Sequence, residues 1–247
     1  MKQIIDSKIL KDFVLNELNS RSDFLNKREL LESPIEEMVF DHLFKFKNEN
    51  AELIPQKTIK TVSGNFRPDI ILKLGKKEIS IECDGEKYHQ DEYYDEWRDA
   101  LILVASEIES IFRLKGKNIY TDLNNIIFYI ASKEPDFFNM DMVNRLKPAI
   151  HPEIKNQIES ADYGFVKKNI TYDDYGLHGD KVKRTIEIVW KNLKKSFDSF
   201  CIREILISYI NPGKSIEELK DMPKEKFIET EDLYNLFYEK YPNYKKE

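Results

Sequence analysis

Residues 66–89, FRPDIILKLGKKEISIECDGEKYH, read as a β-hairpin that carries a cluster of acids. Phe66 to Leu74 is apolar and β-branched enough for a strand. Gly75-Lys76-Lys77 supplies the turn, where Gly75 is free to take a positive φ. Glu78 to Asp84 is the return strand. Strand side chains alternate faces, so Ile79, Ile81 and Cys83 point one way and Ser80, Glu82 and Asp84 the other. A hairpin closed near Lys76 places Asp69 opposite or diagonal to Glu82 and Asp84, and three carboxylates would then meet.

Like charges at close range repel, and partial burial adds a desolvation cost. A hard divalent cation relieves both, because Mg²⁺ prefers carboxylate oxygens and water. The other reading of the same acids is a solvated strand face. Ile70-Ile71-Leu72 reads as buried on both faces, which suits a central strand. Asp84-Gly85 is a sharp turn leading to Tyr88-His89.

These residues resemble a family. Arg67-Pro68-Asp69 followed by Glu82-Cys83-Asp84 is similar to the core of the PD-(D/E)XK nucleases. IECDGEKYH followed by Trp97-Arg98-Asp99 resembles the Vsr-like, type II restriction-endonuclease-like branch, and the resemblance spans roughly Ser33 to Ala131. It implies a mixed central sheet flanked by helices, and Asp69 and Glu82 as ligands of Mg²⁺, with Mn²⁺ able to substitute. It adds the backbone carbonyl of Cys83 as a further ligand and gives Glu36 a role in holding the metal or its water.

The same pattern calls for Lys two residues after Glu82, where this chain has Asp84. A carboxylate does not stabilise phosphoryl charge as an ammonium does. The resemblance offers His89 as base or proton shuttle, since imidazole titrates near neutrality. Asp84 would then orient His89 or bind a second metal, and Lys87 and Lys57 are candidates for a displaced Lys. Gln56 matches a Pro-Gln that precedes the core hairpin in the branch; it would bind a phosphate, orient a water, or serve as a plain strand residue.

The chain has 247 residues, 41% hydrophobic and 34% charged, which suits a globular protein. No apolar run approaches the ~20 residues needed to span a bilayer. The first residues lack a signal-peptide core, so a cytoplasmic location is expected. Cys83 and Cys201 have neither zinc nor disulfide-framework spacing. A net charge of −6 counts against nucleic acid over the whole surface, though not against a local groove.

Along the chain, residues 1–32 read as an N-terminal helical extension, from Ile5, Ile9, Phe13 and Leu18 and then Phe24, Leu25, Leu30 and Leu31. Ser33-Pro34-Ile35-Glu36 opens a helix, with Glu36 at capping-box spacing from Ser33. That box is the local explanation of Glu36, beside the site role that the resemblance implies. Leu53 to Val62 reads as one strand, Asp91 to Ser106 as a helix, Ser110 to Leu114 as a strand, and Asp122 to Ala131 as a helix.

The predicted nuclease-like domain is 33–140, an α/β layer fold. Pro135, Pro148 and Pro152 suggest a boundary, and 141–247 is expected to be mainly helical. Tyr163 to Gly179 reads as loop. Lys181 to Phe197 reads as an amphipathic helix whose basic side, with Lys181, Arg184, Lys191 and Lys195, is either a solvated face or, in a nuclease, the place for phosphate contacts. A capping box at Ser215 to Glu218 and a helix over Glu231 to Tyr241 follow.

The expectation is a metal-dependent DNA endonuclease of a restriction, repair, phage-defence or mobile-element system; an RNA-directed nuclease of the same fold is a further reading. The alternative is a catalytically weak or inactive module of the same fold that binds nucleic acid or a partner. The acidic Asp91-to-Glu96 stretch and the missing Lys favour that alternative. No P-loop is present, so any helicase or ATPase would act in trans. No G-x-S-x-G elbow is present either.

Overall fold

The structure, a computed structural model, describes residues 19–61, 64–85, 92–159, 165–175 and 179–192. The expectations for Lys87, His89, Cys201, Lys195, the first helical stretch, the capping box at Ser215 and the helix over Glu231 to Tyr241 fall outside these residues.

A helix α1 (19–28) leads into α2 (Pro34–Phe46). Ser33 caps α2 and Pro34 stands in its first turn. The Glu36 N–H donates to Ser33 Oγ at 3.3 Å, and Ser33 Oγ–H donates back to Glu36 Oε1 at 2.7 Å. Ile35, Val39, Phe40, Leu43 and Phe46 form the buried stripe, each large side chain contributing roughly 2 kcal/mol by burial. Lys47 turns extended and ends the helix, its N–H still donating to the Leu43 carbonyl.

Strands β1 (Glu52–Pro55), β2 (Ile59–Thr61), β3 (Gly64–Phe66), β4 (Ile70–Leu74) and β5 (Lys77–Asp84) follow. Helix α3 (Glu92–Ala105), β6 (Ile108–Lys115), α4 (Gly116–Lys133), α5 (Met140–Asn144), α6 (Pro152–Glu159), β7 (Phe165–Tyr175) and β8 (Lys181–Asn192) complete the described elements. Six strands form one mixed sheet in the order β1-β4-β5-β6-β8-β7, and β2 pairs with β3 separately. Only β5 and β6 of the main sheet run parallel. That pairing demands a crossover, and α3 supplies it.

The hairpin expected over residues 66–84 forms, with Leu74 opposite Lys77 across a Gly75-Lys76 turn. Gly75 takes φ 61°, the conformation glycine tolerates without Cβ strain. Its first strand is shorter than expected, because Arg67-Pro68-Asp69 interrupts it between β3 and β4. The single strand expected over Leu53 to Val62 is likewise two, β1 and β2, broken at Gln56, which takes φ 53°. The helix expected from Asp122 begins at Gly116, and Asp122 itself sits at a kink with φ −136°.

Ile79, Ile81 and Cys83 enter the larger core with α2, α4 and the inner face of β8. Ile71, Ile111, Ile102, Leu103, Ile108 and Ile59 form a second core under α3. The chain is therefore an α/β architecture with N-terminal helices, a central mixed sheet and C-terminal helices and strands.

The C-terminal expectations need correction. Tyr163 to Gly179, which reads as loop, contains β7; Lys181 to Phe197 has a helical pattern, and its described part is β8. The apolar positions of KVKRTIEIVW fit both periods, but β-branched Val182, Thr185, Ile186, Ile188 and Val189 favour the pleated strand. Ile186, Ile188 and Trp190 are the buried alternate set, and Trp190 stacks on Phe112 with centroids 5.8 Å apart. Since β8 pairs with β6, the described part of 141–247 shares the sheet and core of 33–140 and is not mainly helical. Among the described residues, no helix is long and apolar enough to cross a membrane.

Candidate active site

Three segments converge at the end of the sheet where β4 begins and β5 ends. Pro68 is buried and sets Asp69 just ahead of β4. The register Ile70 to Ile81, continued by one residue, brings Asp69 beside Glu82. The Cys83 N–H donates to Asp69 Oδ2 at 2.7 Å. The Asp69 carbonyl accepts the Gln56 N–H at 3.0 Å. The Gln56 side chain donates through Nε2 to Glu36 Oε2 at 2.8 Å. Glu36, Gln56, Asp69, Glu82 and the Cys83 peptide, all expected as site groups, thus lie together.

Glu36 is buried and satisfied on both oxygens, by Ser33 on one side and by Gln56 and the Glu32 N–H on the other. Glu82 is almost fully enclosed. Its Oε1 accepts from Ser80 Oγ at 3.0 Å and its Oε2 from Arg98 Nη2 at 2.8 Å. Asp69 has no ion pair among the described residues, and its Oδ1 accepts no hydrogen bond from them. Burial, then the charge of Glu82, push the Asp69 carboxyl up to about 8, against the pull of the Cys83 N–H and Arg98.

Asp84 departs from the expected cluster. Arg113 faces Glu82 in the parallel register of β5 and β6, and its Nη1 reaches Asp84 Oδ1 at 2.8 Å. Lys115 lies 3.6 Å from the other oxygen. The three carboxylates Asp69, Glu82 and Asp84 therefore do not meet as one group. Among the described residues, no three His, Cys, Asp or Glu side chains converge so as to hold an ion.

Arg113 is the hub of a buried ion network. It binds Asp99 through Nε at 2.7 Å and Nη2 at 2.8 Å, and Asp95 lies 3.2 Å from Nη2. Lys191 Nζ adds 2.8 Å to Asp99 Oδ2. Burial alone would push the Asp99 carboxyl up; Arg113 and Lys191 outweigh it and hold that carboxyl well below the usual carboxylate range. Lys191 is buried and committed to Asp99, which removes it from the expected phosphate contacts. Lys181 is exposed at the far end of β8, and Arg184 pairs with Asp174. Lys57 is committed to the buried Glu78, at 2.7 Å.

The thiol of Cys83 faces the larger core, where burial pushes its pKa up and leaves it unreactive. Gly116 opens α4 against the end of β5: a Cβ there would stand 3.4 Å from both the Asp84 carbonyl and Ile35 Cδ1. Both are ordinary van der Waals distances, so α4 starts in direct contact with the end of β5.

Reading the sequence missed Arg98 and Arg113 as the partners of Glu82 and Asp84. One signal was present. An isolated Arg in the apolar run Ser110-Ile111-Phe112-Arg113-Leu114 requires an acid partner if the strand is buried.

The donors fit a hard divalent cation in kind: Asp69, Glu82 and a peptide carbonyl are all oxygen ligands. Such a set takes two carboxylates and needs no third side chain. Comparisons with protein-family models, curated proteins and solved structures returned no match to this chain.

Proposed function

We propose that the chain is a metal-dependent endonuclease hydrolysing DNA phosphodiester bonds, on a restriction-endonuclease-like core of the PD-(D/E)XK, Vsr-like kind. The observation that supports this reading best is Asp69: a half-buried carboxylate placed beside Glu82, with one oxygen unpartnered among the described residues. Such a carboxylate is ionised near neutral pH only at a cost, which a bound cation would offset. Bound Mg²⁺, or Mn²⁺ in its place, would supply a polarised phosphoryl group, an acidified water and a stabilised leaving oxygen.

The chain's own residues then have distinct tasks. Asp69 and Glu82, with the Cys83 carbonyl, hold the ion. Glu36 positions Gln56, whose N–H holds the Asp69 carbonyl. Arg98 provides positive charge at a site whose expected Lys is replaced by Asp84. Asp84, held by Arg113, anchors the end of β5. His89 remains the proposed proton acceptor, on the resemblance of Asp84-Gly85 to His89 alone. The proposed compartment is the cytoplasm, and any motor would be a separate helicase or ATPase subunit.

A second reading, a binding module with little or no turnover, is favoured by the two arginine pairs Arg98–Glu82 and Arg113–Asp84. They neutralise acids that an active centre would use. Incubation of the purified protein with supercoiled plasmid, single-stranded DNA and RNA under Mg²⁺, Mn²⁺ and EDTA separates the two. Metal-dependent nicking of DNA, lost in Asp69→Ala and Glu82→Gln, is the result expected. Absence of cleavage in every metal, with nucleic-acid binding intact in both variants, would replace the enzyme by the binding module.

A further inference from the structure

Residues 57–61 and 64–68 belong to an excursion from the sheet whose neck is the candidate site itself. The Gln56 N–H donates to the Asp69 carbonyl at 3.0 Å and closes it. Beyond the neck, β2 and β3 pair with each other and with no strand of the main sheet. Ile59 is buried in the core under α3, and Arg98 Nη2 lies 3.4 Å from the Arg67 carbonyl. The excursion is therefore fixed against the helix that also reaches Glu82.

Its composition differs from the rest of the chain. Residues 57–68 contain Lys57, Lys60 and Arg67 and no Asp or Glu, in a protein of net charge −6. The remainder is rich in hydroxyl and amide groups: Thr58, Thr61, Ser63 and Asn65. Lys57 is held by Glu78. Lys60 is exposed and makes no ion pair with any described residue. Arg67 is half exposed and, among the described residues, pairs with the exposed Glu32, an exchange that contributes ~0–1 kcal/mol and yields readily to a stronger anion.

We infer that the β2–β3 excursion is the surface that docks the substrate's sugar-phosphate backbone, Lys60 and Arg67 contacting phosphates next to the scissile bond. The partner is duplex DNA, by charge complementarity and by attachment to the candidate site, and the inference rests on the nuclease reading. Each phosphate neutralised by a cation releases condensed counterions, so binding must weaken with salt. An acidic protein needs such a local basic element to approach a polyanion at all.

The test is anisotropy of a short fluorescein-labelled duplex in EDTA, across a salt series, with the full chain. Lys60→Glu/Arg67→Glu is compared with Lys76→Glu/Lys77→Glu. The latter carries the same charge change at the opposite end of the β4–β5 hairpin, where Lys77 also pairs with an exposed acid, Asp136. All four residues are exposed, and a thermal melt checks that both variants fold. The expected result is at least a tenfold loss of affinity and a salt slope shallower by about 2 for the first variant only, roughly one per lost phosphate contact.

Equal losses in both variants, or none in either, would overturn the inference. If the wild type cleaves DNA in metal while the Lys60→Glu/Arg67→Glu variant binds normally, the inference fails and the nuclease reading survives. A wild type that neither binds nor cleaves removes both, and preference for an RNA duplex of the same length overturns the choice of partner.

Discussion

Arg98 and Glu82 form an ion pair of 2.8 Å across the gap between α3 and β5, with Glu82 almost entirely buried. The guanidinium occupies one oxygen of a carboxylate proposed to bind metal, so Arg98 and a divalent cation compete for Glu82. Arg98→Met leaves that carboxylate buried without its partner. Unfolding free energy in EDTA should fall by about 3 kcal/mol, measured by urea denaturation. Adding Mn²⁺ should restore much of the loss, and calorimetry should show tighter Mn²⁺ binding than in the wild type.

The buried Asp99 makes the opposite prediction for acid. Its carboxyl is held below the usual range by Arg113 and Lys191. A depressed folded-state pKa contributes stability that is present above the unfolded value and lost as the pH falls below it. The wild type should therefore lose stability on acidification below about pH 4, as carboxylates that the fold keeps ionised become protonated. Asp99→Asn should cost about 3–5 kcal/mol at neutral pH and flatten that acid limb. Denaturant melts from pH 3 to pH 7 read both.

Asp69 has the reverse sign. With its carboxyl pushed up to about 8 from an ordinary 3.8, the folded state holds a proton that the unfolded chain has released. Stability in EDTA should fall as the pH rises from about 4 to about 8 and level off above. Asp69→Asn should abolish this fall and melt higher than the wild type at pH 8. If the wild type shows no such slope, Asp69 is ionised without cost and the principal support for a bound cation is gone.

Gln56 combines a left-handed backbone with a hydrogen bond to a buried carboxylate. Gln56→Ala should lose about 1–3 kcal/mol, because Glu36 loses a donor while the strained φ remains. Gln56→Gly loses the same donor but relieves the backbone, and should be the more stable of the two by about 1 kcal/mol. Equal stabilities would mean that the φ of 53° carries no strain.

The centre of the fold was legible because hairpin alternation is a local rule. Ile79, Ile81 and Cys83 enter one core while Ser80, Glu82 and Asp84 take the other face, and Ser33 and Glu36 box the helix end as their spacing implied. What stayed hidden depends on distant pairing. Arg113 reaches Asp84 only because β6 runs parallel to β5 after the α3 crossover. Lys191 reaches Asp99 only because β8 joins the sheet. The positive φ of Gln56, which turns one expected strand into two and opens the excursion to β2 and β3, has no signature in a residue type that rarely adopts it.

The Lys191–Asp99 contact also sets an order of events during synthesis. Asp99 and Arg113 leave the ribosome long before Lys191, so the nascent chain carries α3 and β6 with one cation missing from the network. It also carries the β6 edge without the strand that will pair with it. An open strand edge is a template for pairing with other chains. Ribosome-bound or truncated products ending before β8 therefore present a strand edge that β8 would cover, and the carboxylate end of the sheet reaches its final electrostatic balance only when β8 has docked.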